Sequence, residues 1–425
     1  MSTPHNEPRP LPRSLAPLHD ESVAGYLLRL AHRLGTSPGQ ITKRTGLLPS
    51  GSGHAPAYPG RSLPINLLYR PGEDRIRTFA RVTRLTPDEA DQLFLAALGR
   101  HYGPLNEDLT RRGNSARMLH NNPGLYSRWT RYCPQCLRGD DNSPIQQRHG
   151  GSWRRSWRLP PVFACVEHQR LLINHCPACG QAALGGSRFS FIPSPGEEGI
   201  HPAQCRASRI GTGPNDRPLL CGADLAQPAR LTAAHDEQTM KELLGLQQQI
   251  LDLLDPHRTQ SIGWLVPTVH YFMDLRVMSA LVLLSWPATQ DLAATAEMKN
   301  AVDQAATDCR TTCNELRARG GKRHTSRAFS TLPDDPFAAG AVLHIADRLL
   351  ATEDDDVFDA IRPVFQAAQT REPEMAGTLR NSPAMPLSQP LRRLLAVRDK
   401  PRWRGSRTYI ASATDLVHVT GKTIW

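Results

Sequence analysis

Val23, Leu27, Leu30 and Leu34 recur at helical spacing and predict a first helix that opens near Asp20-Glu21-Ser22, with acidic residues at the positive end of its dipole. The stretch from Leu30 to Ile41, LAHRLGTSPGQI, then sets a Gly at a turn, Ser37 as N-cap and an apolar residue inside a second helix. This is the pattern of a helix-turn-helix. Phe79 to Ala90 repeats it, with Thr86 as cap, Pro87 at the first helical position and Glu89 closing a capping box. Each unit reads either as a DNA-binding motif or as a plain helical hairpin, since short interhelical turns serve both. On the DNA-binding reading, Arg33, Gln40, Lys43 and Arg44 are the candidate contacts of the first unit.

Other stretches carry different patterns. Residues 1–17 are polar and Pro-rich and read as a flexible arm, and Leu48 to Pro64 is rich in Gly, Pro and Ser and reads as a loop. Trp153-Arg154-Arg155-Ser156-Trp157-Arg158 alternates at period two and predicts a strand. One of its faces would pack the tryptophans and the other would show Arg154 and Arg158 to a phosphate backbone or a protein partner. From Leu231 onward the composition shifts to Ala, Leu, Gln and charge, and helices are expected at about 235–254, 263–285, 288–318, 337–351, 355–370 and 388–397. Cys309 and Cys313, one turn apart in that region, read as core thiols. The end, Ala413 to Trp425, looks like a helix, a Gly turn and the start of another helix, a partial helix-turn-helix at which the sequence stops. Its Gly421-Lys422-Thr423 is not a phosphate loop, because Leu416 stands where that motif needs its first Gly.

Bulk quantities narrow the class. A chain of 425 residues exceeds one compact core, so two or three domains are expected. Its 51 Lys and Arg against 40 Asp and Glu leave a net charge of +11, which suits a polyanion partner such as DNA. No run of 18 apolar residues is present and the N-terminal stretch lacks the apolar core of a signal peptide, so a bacterial cytoplasmic location without membrane attachment is expected.

The cysteines change the picture most. Cys133-Pro-Gln-Cys136 is followed after 28 residues by Cys165-Val-Glu-His168, then by Cys176-Pro-Ala-Cys179, Cys205 and Cys221. A two-residue gap lets a tight turn aim both ligands at one ion, and four such ligands close a tetrahedral zinc shell. The assignment that uses them all is two structural zinc ions, one on Cys133, Cys136, Cys165 and His168, the other on Cys176, Cys179, Cys205 and Cys221. Disulfides or buried thiols are the competing reading of the same residues. Closed sites leave zinc no water to activate, and no HExxH, G-x-S-x-G or acidic two-metal cluster is present, so no catalytic residues are assigned.

The order Cys133-Pro-Gln-Cys136, Trp153-Arg-Arg-Ser-Trp157-Arg-Leu159, Cys165-Val-Glu-His168, Leu171-Leu172 and Cys176-Pro-Ala-Cys179-Gly180, with Glu21 to Ala31 as an opening, resembles the TniQ family. That family includes the TnsD-like target selectors of bacterial transposons, and the resemblance covers about residues 10–222. It implies an adaptor that joins a DNA target, or in some systems an RNA-guided effector, to an AAA+ ATPase that recruits a transposase. A second copy of the chain is a further partner to test, and a zinc-containing transcriptional regulator unconnected with transposition is the alternative reading. The fold class expected is mainly α with small β zinc-ribbon modules. The domains expected are an arm (1–17), a helix-turn-helix-like domain (18–120), a double zinc-binding domain (121–228), a helical domain (229–405) and the partial motif (406–425).

Overall fold

The computed structural model describes residues 8–48, 65–106, 126–127, 130–184, 199–209, 219–227, 235–254, 266–319, 331–351 and 357–373, with Phe329, Ala376, Leu391, Leu395 and the backbone of residues 409–410. The expectations for the Leu48–Pro64 loop beyond Leu48, for a helix at 388–397 apart from two isolated positions, and for the motif at 413–425 lie outside these residues. The described residues are mainly helical, with three two-stranded ladders. No described helix is long and apolar enough to cross a membrane. The chain divides into two units, one built from residues 1–97, 128–158 and 172–233, the other from residues 98–127, 159–171 and 234–425.

The first unit begins with α1 (Val23–Leu34) and α2 (Pro38–Arg44). Ser22 caps α1 by accepting from the Gly25 N–H, and Ser37 caps α2 by accepting from the Gln40 N–H, caps worth about 1 kcal/mol each. The acidic residues before α1 do not serve its dipole. Glu21 is buried instead, accepts the Leu18 N–H, and receives Arg29 Nη1 on both carboxylate oxygens at 2.9 and 2.8 Å. The reason is local: Arg29 lies two turns into the buried face of α1, so its charge needs a partner there.

After α3 (Ile65–Tyr69), α4 (Glu73–Thr83) and α5 (Pro87–Asp91) repeat the turn between α1 and α2. Gly35 ends α1 at φ +60°, and Arg84 ends α4 at the same angle, each bonding back to the last helical carbonyls. Thr86 and Glu89 form the expected capping box. The segment before α1 is not a free arm over residues 8–17. Leu11 and Leu15 are buried, the Leu11 N–H donates to the Val82 carbonyl, Tyr26 Oη donates to the Leu15 carbonyl, and Arg81 donates to the Pro8 carbonyl. Two apolar side chains four residues apart are enough to dock a short extended segment on α1 and α4.

The second unit is centred on α9 (Thr268–Ser285), which follows α8 (Glu237–Leu254). Apart from His270, Val269 and Arg276, its residues are buried, as expected of a helix apolar all round. It packs against α10 (Ala296–Ala318), α11 (Pro336–Leu350) and α12 (Val357–Arg371). Tyr271 Oη donates to Asp347 at 2.7 Å within this core. The helix expected over 288–318 starts only at Ala296, because Thr295 accepts the Met298 N–H and caps it there. A 3-10 turn at Gln290–Leu292 precedes that cap. Cys313 is buried and Cys309 half-buried in α10, in keeping with core thiols.

Candidate metal centres

The two zinc ligand sets read from spacing are the two groups that come together. Cys133, Cys136, Cys165 and His168 each offer a ligand atom, and these atoms lie within 4.8 Å of one another; the same holds for Cys176, Cys179, Cys205 and Cys221. All nine cysteines are free thiols.

Local structure explains each placement. Cys133 is the N-cap of α6 (Pro134–Arg138), with Pro134 at the first helical position and Cys136 one turn in. Thiolates there lie at the positive end of a short helix. Tyr132 fixes the knuckle by exchanging backbone hydrogen bonds with Ile173, 2.8 Å each way. The Gly151 N–H donates to the Leu137 carbonyl, and a Cβ at Gly151 would stand 1.9 Å from the Cys136 carbonyl oxygen. Only glycine therefore fits beside this knuckle. Cys165 and His168 sit on the hairpin of β1 (Ala164–Cys165) and β2 (Arg170–Leu171), whose turn passes through Gln169 at φ +47°. Cys165 Sγ and His168 Nδ1 are 3.4 Å apart.

In the second cluster the Gly180 N–H bonds to the Cys176 carbonyl, closing the turn that brings Cys176 and Cys179 together. Cys205 and Cys221 have 15 residues between them in sequence but are adjacent in space. They flank the antiparallel ladder of β3 (Ser208–Arg209) and β4 (Leu219–Leu220), with Cys205 N–H bonded to the Ala223 carbonyl and Cys221 N–H to the Ala207 carbonyl. Cys176 and Cys221 sulfurs are 3.9 Å apart, as are those of Cys179 and Cys205. A disulfide needs about 2.05 Å, whereas the edge of a tetrahedron with 2.3 Å metal–sulfur bonds is about 3.8 Å.

The electrostatics agree with a cation site. Burial pushes the Cys179 thiol up and the Cys205 thiol far up. Burial also works to raise Cys221, but the Ala223 N–H and donation from the other three thiols outweigh it and bring Cys221 to about 7. Thiolates this close repel one another, and a bound cation offsets that repulsion.

The arginine cluster departs from expectation. No strand forms over 153–158. Arg154 makes a single antiparallel bridge with Glu21, and Ser156–Arg158 is a 3-10 turn. The reason is that Trp153 and Trp157 are both buried, in edge-to-face contact at 6.4 Å, and a turn rather than an extended strand brings them together. Arg158 is therefore inside, 4% exposed and donating to Thr130 Oγ1, not on the surface. Arg155 is buried as well. It donates to Asp20 Oδ1 and to Gln92, while the Ser156 N–H donates to Asp20 Oδ2. Asp20 takes a left-handed φ of +52° to make this pair, a conformation aspartate tolerates better than most residues. Arg154 is half-buried, its guanidinium 5.9 Å from the Trp157 ring centre.

Of the other candidate contacts, Gln40, Lys43 and Arg44 are exposed on α2, and Arg33 is half-buried at the end of α1. Residues that spacing did not single out also converge. His32 of α1, His149 of α7 (Pro144–His149) and His201 form one cluster, the ring centres of His149 and His201 each 5.1 Å from His32. They are far apart in sequence and in no metal-ligand spacing, so no local pattern marks them.

A family model described as TniQ matches residues 12–172, which supports assigning the chain to that family. The match takes in the first ligand set and the contact between residues 20–22 and 153–156, and ends before Cys176. No curated protein and no solved structure matches the chain.

Proposed function

With the TniQ match as premise, we propose that this protein is a non-catalytic, zinc-containing adaptor in DNA transposition. It would bind a DNA target or a target-recognition complex and present it to an AAA+ ATPase and transposase. The family match carries this reading, since that family is associated with choice of the transposition target. Zinc is the metal that fits best. The donors are three thiols with an imidazole and four thiols, the sulfur spacing suits a tetrahedron, and neither set leaves a position for water. Zinc bound there supplies folding free energy.

The nucleic-acid side of the reading rests on the chain's net charge of +11 and on the repeated turn of α1–α2 and α4–α5, with Gln40, Lys43 and Arg44 exposed on the second helix of the first pair. These are the parts we infer to act as helix-turn-helix units. Arg154 is a weaker candidate for the same role, and Arg158 is withdrawn from it by burial.

Affinity for a DNA duplex is expected to fall steeply with salt, log K changing by about 0.9 for each phosphate neutralised per unit of log salt. Retention on immobilised duplex at low and raised salt measures it. Affinity purification from the host is expected to bring down an AAA+ ATPase. DNA retention without that ATPase would favour the transcriptional-regulator alternative; no retention at any salt would favour an adaptor that meets its target only through protein.

A further inference from the structure

The histidine cluster in the first unit has no part in the metal centres. His32 Nδ1 and His149 Nδ1 are 2.9 Å apart, so one ring donates to the other. His201 Nδ1 accepts the Ala203 N–H at 3.2 Å. All three imidazoles are half-buried, and cationic groups dominate their surroundings. From α1 come Arg29 and Arg33, from α7 Arg148, and from the segment around the second thiol cluster Arg206, with Asp224 the carboxylate that acts on His201. Arg29 is neutralised by Glu21. Arg33 and Arg148 have no carboxylate partner among the described residues, and Arg33 Nε is buried without a hydrogen-bond partner. Arginines without carboxylate partners would repel a metal dication and attract an anion. Imidazole N–H and guanidinium groups are donors of the kind that hold phosphate oxygens and set a protein's register on a duplex.

We propose that His32, His149, Arg33 and Arg148 form a phosphate-contact patch for a DNA duplex, and that its two imidazoles take up protons when a phosphate docks. This rests on the nucleic-acid reading above and adds to it the place and the proton linkage. Burial first, then His201, His149, Arg206 and Arg148, hold His32 down at about 4. Burial first, then Arg33, Arg148, Arg29 and His201, hold His149 below its ordinary value. Both rings are therefore neutral in the free protein at pH 7. A phosphate against them supplies negative charge and raises their proton affinity. Binding is then accompanied by proton uptake, so affinity rises as pH falls and is lost as pH rises through the pKa of the bound state.

The test is binding of a fluorescent 20–30 bp duplex by the metal-loaded full chain. The wild type is expected to bind about fivefold more tightly at pH 6 than at pH 8. His32→Gln with His149→Gln should weaken binding, with the larger loss at pH 6, and so remove most of that dependence. Arg33→Ala with Arg148→Ala should lower the salt slope by about two, one phosphate for each arginine. Nitrogen-15 histidine spectra of the wild type, with and without duplex at pH 7, should show the His32 and His149 rings becoming protonated, a readout independent of whether the variants fold. Duplex binding with unchanged histidine spectra, and with pH dependence and salt slope unchanged in both variants, overturns the patch while leaving the DNA reading intact. No duplex binding by the wild type overturns both. Polyglutamate held as tightly as DNA of equal charge would assign the patch to an acidic protein surface and overturn the proposal.

Discussion

A Cys133→Ser chain is expected to unfold or aggregate rather than merely to bind its partners less well. The substitution removes one of four donors from a set whose atoms lie within 4.8 Å of one another. Structural zinc sites have apparent binding free energies of about 10–16 kcal/mol at pH 7, and that energy is folding energy. It is as large as the whole stability of an ordinary domain, about 5–15 kcal/mol. Stripping the metal from the unaltered chain with a chelator should act the same way, collapsing the thermal transition, with recovery on adding zinc back. Circular dichroism melts with and without chelator measure it. A Cys133→Ser protein that stays soluble and melts as the unaltered chain does would make this centre peripheral to the fold.

Replacing Arg29 by Met is expected to destabilise the first unit by about 3–5 kcal/mol, because it leaves the Glu21 carboxylate buried without its cation. Burial already pushes the Glu21 carboxyl up, against the pull of Arg29 and the Leu18 N–H. The single variant should therefore be least destabilised at low pH, where Glu21 is protonated, and lose stability as pH rises through the raised pKa. Replacing both partners, Glu21→Leu with Arg29→Met, should restore most of the loss, since two apolar groups leave no orphaned charge. Urea melts of the two single variants and the double variant give the coupling. Losses that simply add would show that the pair is not an energetic unit.

Glu21 and Arg29 also show how far the chain could be read before its structure. Ser37 and Thr86 were legible as caps because a cap acts on an N–H two or three residues away. The ligand sets were legible for the same reason in Cys133 to Cys136, Cys165 to His168 and Cys176 to Cys179. Cys205 and Cys221 needed the ladder to meet and could be assigned only by completing a set of four. Long-range pairings were not visible. The Glu21 opening and the Trp153–Trp157 stretch were two separate marks of one family, and nothing local showed that they pair, Ser22 N–H on the Trp153 carbonyl and Arg155 N–H on the Asp20 carbonyl. Period-two alternation at 153–158 misled, because a 3-10 turn can bury both tryptophans as well as a strand can. His32, His149 and His201 stand on separate elements and carried no pattern at all.

The account depends most on the two centres being metal sites, and elemental analysis of the purified full-length chain, combined with a count of reactive thiols before and after denaturation in chelator, tests that directly. The expected result is about two zinc ions per chain, with the cysteines of both clusters becoming reactive only when the metal is removed. A chain with no bound metal, with the same cysteines paired as disulfides or freely reactive in the folded state, would contradict it.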